Sequence, residues 1–127
     1  MKIAVVGAGN GGSFTALHWG WYGRHKDVEV ELIYNPETQP ERVGQATLTF
    51  APHLLWAATG FDWYHNKIHA TFKSGILYEG WGQKNDNIFH NFPSDRMAMH
   101  YCPWEMQRSI LNSCHFKVTE GEIDPKD

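Results

Sequence analysis

The chain has 127 residues, of which 42% are hydrophobic and 20% charged, a balance that fits a folded globular domain and excludes a disordered chain. Its length suits one domain, which buries roughly two-thirds of its unfolded surface. The formal net charge is -3, and Lys and Arg are scattered without a basic stripe, so nucleic-acid binding has no electrostatic basis.

The opening segment, "MKIAVVGAG", is too short and too glycine-interrupted to cross a bilayer, and it lacks the layout of a secretory signal. No membrane partner is expected. Two cysteines, Cys102 and Cys114, make no disulfide framework, and reduced thiols in a cytoplasmic protein are the expectation.

The first predicted element is a strand through the β-branched run Ile3 to Val6. It leads directly into Gly7-Ala8-Gly9-Asn10-Gly11-Gly12, followed by Ser13. Gly7, Gly9 and Gly12 occupy the three key places of G-x-G-x-x-G. The first permits the tight turn, the second admits a pyrophosphate to the backbone, and the third lets helix and strand pack closely. A helix over "SFTALHWGWYG" and a second strand, "VEVELIY", complete a β-α-β unit over residues 1–35. The helix would aim free N–H groups and its positive dipole end at phosphates. A dinucleotide is therefore the expected ligand.

The second strand of such a unit ordinarily ends in an acid that holds ribose hydroxyls. Here it ends Tyr34-Asn35-Pro36-Glu37. Tyr34 can stack or hydrogen-bond but offers no carboxylate, leaving Asn35 and Glu37 as substitutes. No arginine lies close enough in "IYNPETQ" to favour a 2′-phosphate.

Further along, "ATFKSGILYEGWG" reads as one half-buried strand over residues 70–82. Alternation puts Lys73 on a face with Gly75, Leu77 and Glu79, opposite Phe72, Ser74, Ile76 and Tyr78. Periodicity alone makes Lys73 a snorkelling surface residue. "PWEMQRSILN" then reads as a packing helix that starts at Pro103, and "HFKVTEGEI" as a further strand, together spanning residues 103–123. His65 and His69, four apart, would share a helix face, but no histidine or cysteine spacing matches a zinc pattern, so no metal is expected. The aromatic run "LLWAATGFDWYHN" lacks interleaved basic residues and reads as core or as a wall for an aromatic substrate.

The motifs past Pro36 carry a more specific signal. Val43-Gly44-Gln45-Ala46-Thr47, the lysine segment Thr71 to Trp81, and "IFHNFP" follow one another in the order and spacing of flavin-dependent halogenases of the tryptophan halogenase type. In that family a "GVGEAT" strap, a "TFKxGIxFxxW"-like segment and a "YFHPF"-like strand succeed the glycines, and the resemblance covers essentially the whole chain. It implies an α/β fold: an incomplete Rossmann-like FAD-binding domain of the flavin-dependent monooxygenase/halogenase type, with the flavin strap over residues 41–50.

The resemblance also implies the chemistry. Reduced FAD, supplied by a separate flavin reductase, would react with oxygen and a halide ion to give hypohalous acid. Lys73 would capture or hydrogen-bond that species beside a small-molecule, indole-type substrate. The glycine segment with Ser13, Tyr34 and Asn35, and the strap from Val43 to Thr47, would bind the cofactor. Two departures stand out: Tyr34 replaces the ribose-binding acid, and Gln45 replaces the strap glutamate, which removes a charge beside the flavin. The family's "WxWxIP" signature and substrate lobe are not in these residues, so a truncated or fragmentary member is expected. The alternative is a non-catalytic FAD- or NAD-binding module with an interaction role.

Overall fold

The computed structural model describes residues 1–93, 95–124 and 126. The β-branched opening forms β1 (Lys2–Val6), the helix after the glycines is α1 (Asn10–Gly23), and β2 follows at Glu29–Tyr34. β1 and β2 pair in parallel, with Lys2 opposite Glu29 and Val6 opposite Ile33. Only a crossover connection allows parallel pairing of consecutive strands, and α1 supplies it. Near the end of the chain β8 (Lys117–Glu120) pairs in parallel with β2, which gives the order β1-β2-β8.

The middle of the chain builds a second layer. β3 (Gln45–Ala46) and β4 (Thr71–Lys73) flank β7 (Ala98–Tyr101) in an antiparallel sheet. α2 (Ala51–Thr59) carries Pro52 in its first turn and is closed by Gly60 in the left-handed conformation, φ 66°. α3 (Pro103–Leu111) likewise opens on a proline. Leu17 of α1, Leu54 and Leu55 of α2, Met99 of β7, and Met106 and Ile110 of α3 meet in the main core, each almost fully buried. Full burial of one such side chain stabilises by about 1.5–3 kcal/mol. A smaller cluster of Val5, Ala8, Ala16, Val30 and Leu32 fills the space between α1 and the parallel sheet.

Two expectations need correction. The segment over residues 70–82 is not a single strand: β4 ends at Lys73, and β5 (Gly75–Trp81) pairs antiparallel with β6 (Asp86–Asn91) in a separate hairpin. The break falls at Ser74, whose carbonyl accepts from Phe92 N–H at 2.8 Å. Gly75 permits it, because a Cβ there would stand 2.5 Å from the His90 carbonyl oxygen. Lys73 therefore does not share a continuous strand face with Leu77 and Glu79. The region of His65 and His69 is loop, not helix, and His69 has φ 52°.

No described helix is long and apolar enough to cross a membrane.

Candidate cofactor and lysine site

β1 delivers the chain to Gly7, which turns with φ 94°, a conformation costly for any residue with a Cβ. Its N–H donates to the Ile33 carbonyl at 2.8 Å, pinning the turn to β2. A Cβ on Gly12 would lie 1.8 Å from the Gly7 carbonyl oxygen, so α1 can rest against the turn only with glycine there. The Ala8 carbonyl is held from two sides. The buried Ser13 Oγ donates to it at 2.9 Å, and Gln107 Nε2 of α3 donates at 2.7 Å.

Gly9 caps α1 without a side-chain hydrogen bond, and no acidic residue occupies the first turn. A Cβ on Gly9 would meet nothing within 4 Å. The helix thus presents N–H groups and a positive dipole end with nothing of its own to neutralise them. A cavity of about 350 Å³ opens against this turn, lined by residues 6–9, residues 33–35, residues 38–40 and residues 121–123. It lies at the carboxyl ends of β1, β2 and β8, where open α/β sheets receive ligands. Its volume falls in the range of small-molecule sites, about 300–1,000 Å³. Tyr34 and Asn35 line it, whereas Asn10, Gly11, Gly12 and Ser13 of α1 are outside its lining.

The strap segment and Lys73 form a second cluster. Gln45 and Ala46 of β3 pair with Tyr101 and His100 of β7. Thr47 then grips Met99 twice: its N–H donates to the Met99 carbonyl at 2.8 Å, and its Oγ1 accepts from Met99 N–H at 3.1 Å. On the other side of β7, Lys73 stands opposite Ala98. The half-buried Lys73 reaches across, and its Nζ donates to the Thr47 carbonyl at 3.3 Å. The same Nζ lies 5.4 Å from the centre of the buried Phe92 ring. Val43 and Gly44 are exposed, and Gln45 Nε2 donates to Glu41 at 3.2 Å.

The structure therefore gathers the glycine turn, Tyr34 and Asn35 at one cavity and joins Thr47 to Lys73 at another place. None of residues 43–47 lines the first cavity. Beside β4, Trp63 stacks on Phe72 with ring centres 4.2 Å apart, and Trp63 helps line a further cavity of about 560 Å³ with His53, Trp56 and Arg96. Sequence reasoning missed Gln107, Phe92 and Glu122. Glu122 lines the first cavity and accepts a hydrogen bond from Asn35 Nδ2. Among the described residues no cluster of three His, Cys, Asp or Glu side chains is placed to hold a metal.

A parallel β-α-β unit with a steric glycine turn and a cavity at its strand ends defines the class as a Rossmann-like α/β fold. The profile of the tryptophan halogenase family matches residues 2–115, and the chain belongs to that family. No curated protein matches it in sequence. Among solved structures, Xcc4156, a flavin-dependent halogenase from Xanthomonas campestris, superposes with a TM-score of 0.70 at 18% identity, over 95% of this chain and 34% of its own. BrvH, a flavin-dependent halogenase from Brevundimonas sp. BAL3, gives 0.70 at 14% identity, over 99% of this chain and 37% of its own. A tryptophan 6-halogenase (SttH) from Streptomyces toxytricini gives 0.66 at 16% identity, over 96% and 35%. The chain thus spans about a third of the length of the solved halogenases it resembles.

Proposed function

We propose that these residues form the FAD-binding and halogen-handling part of a flavin-dependent halogenase acting on a small aromatic, indole-type molecule. The observation that carries the reading is the tie between Lys73 Nζ and the Thr47 carbonyl, which links the strap to the family's lysine. The residues fit the cofactor: the Gly7–Gly12 contact clears the approach to the helix, and the cavity adjoins bare N–H groups.

Bound reduced FAD would supply, with oxygen and a halide ion, the hypohalous acid used in the reaction. The flavin would arrive reduced from a separate reductase. The chain's own residues do the rest. Gly9 and the first turn of α1 bind the pyrophosphate, while Tyr34 and Asn35 flank the adenosine half. Val43, Gly44, Gln45, Ala46 and Thr47 form the wall against the flavin. Lys73 donates a hydrogen bond to the oxygen of hypohalous acid and so polarises the O–X bond toward the arene, whose carbon takes the halogen while hydroxide leaves as water with the ring proton. As free amine it instead takes the halogen itself, an N–X bond replacing the O–X bond as hydroxide leaves as water with a proton from the nitrogen. The Thr47 carbonyl fixes one direction of the ammonium, leaving its two other N–H donors for that task.

The test is titration of the chain with FAD and with NAD, read by fluorescence. The reading predicts saturable FAD binding and an upward shift of the thermal transition with FAD. NAD binding without FAD binding would instead identify a non-catalytic nucleotide-binding module.

A further inference from the structure

Resting on the dinucleotide reading of the first cavity, we propose that Glu122 is the carboxylate that accepts the adenosine ribose hydroxyls. It is delivered from beyond the end of β8 instead of from the end of β2.

The end of β2 offers no acid, since Tyr34 closes it, and Glu37 lies outside the lining of the cavity. The backbone brings a replacement. Tyr34 pairs with Glu120, and Gly121 N–H donates to the Tyr34 carbonyl at 2.9 Å, so the chain leaving β8 runs alongside the chain leaving β2. Glu122 then arrives next to Asn35, on the rim that also contains residues 7–9.

Asn35 fixes how Glu122 is presented. Its Oδ1 accepts from Glu37 N–H at 2.8 Å, which turns the side-chain NH₂ outward to donate to Glu122 Oε1. A carboxylate has about four lone-pair sites, so this bond leaves Oε2 and part of Oε1 available. A vicinal diol needs two acceptors of that kind, and charge-assisted bonds are the strong ones. The same negative charge would repel a 2′-phosphate, so the site would select nucleotides with a free ribose. Asn35 is on this account a positioning residue.

The competing explanation is that Glu122 and Asn35 merely tie the end of β8 to the end of β2. Glu122→Gln separates the two, because glutamine still accepts from Asn35 but carries no charge. The measurement is the dissociation constant of the chain for FAD and for an FAD analogue lacking both adenosine ribose hydroxyls, with thermal unfolding of the ligand-free variant as the folding control. Glu122→Gln is expected to weaken FAD about tenfold or more, as loss of a charged hydrogen-bond partner does. It should leave that analogue within about threefold of wild type, because the hydrogen bonds that the substitution removes are already missing from it. Asn35→Ala should show the same selectivity in weaker form. Equal FAD affinity in wild type and Glu122→Gln, or equal loss for both ligands, would overturn the assignment. No FAD binding by wild type would overturn the dinucleotide reading beneath it.

Discussion

The Lys73 ammonium donates to the Thr47 carbonyl across 3.3 Å, although 26 residues separate the two along the chain. β7 makes this possible. Thr47 holds Met99 on one edge of that strand, and Lys73 pairs with Ala98 on the other. Strap and lysine are therefore tied to one rigid strand, whose Ala98 and Met99 are completely buried. A displacement of the strap would reach the lysine through a single hydrogen bond. Phe92 lies against the same ammonium and restricts its approach. This geometry suits a cation held in a fixed direction better than one free in solvent.

Gly12→Ala is the sharpest test of the glycine turn. The new methyl would lie 1.8 Å from the Gly7 carbonyl oxygen, so α1 must move away from β1 or the turn must open. Overpacking of this kind costs about 1–3 kcal/mol. Urea denaturation should show an unfolding free energy lower by that amount, and FAD affinity should fall with it. A variant as stable as wild type would mean that the helix does not rest on the turn as described.

The β2–β8 pairing predicts an acid-sensitive clamp. Glu31 accepts hydrogen bonds from Lys117 Nζ at 2.7 Å and Thr119 Oγ1 at 2.6 Å. The Lys117 bond, then the Thr119 bond, hold its carboxyl below the usual glutamate range. The clamp's stabilisation is complete above the ordinary glutamate pKa, about 4.3, and is lost as pH falls through the lowered folded-state value. Glu31→Gln should therefore be less stable than wild type at neutral pH, with the gap closing on acidification. A gap that stays constant down to the acid limb would rule the clamp out.

Much of the parallel unit was legible because its determinants are local. Glycine spacing, a β-branched run and a helical stretch lie within 35 residues, and the steric reason for Gly12 is carried by the motif itself. The break between β4 and β5 was not legible. Alternation through residues 70–82 looks continuous, and only the choice of β7 and β6 as separate partners splits it at Ser74. Contacts across long sequence separations were equally hidden. Asn35 and Glu122 are 87 residues apart, and Gln107 and Ala8 are 99 apart. No pattern in a single sequence marks Gln107 on an ordinary packing helix as the residue that braces the turn. The exposure of β5 and β6 also defies the aromatic character of their sequence: Trp81, Ile88 and Phe89 face solvent.

The central claim is that Lys73 handles the oxidised halogen, and it is tested most directly by comparing wild type with Lys73→Ala. Both, joined to the substrate lobe of a flavin-dependent halogenase, would be supplied with FAD, a flavin reductase, NADH, bromide, oxygen and an indole, while flavin reoxidation and brominated product are followed together. A positioned proton-donating group contributes typically about 10²–10⁴-fold. The account predicts equal FAD affinity and equal flavin reoxidation, with brominated indole lower by at least about 10²-fold in Lys73→Ala. Equal product from the two proteins, at equal rates of flavin reoxidation, would contradict it.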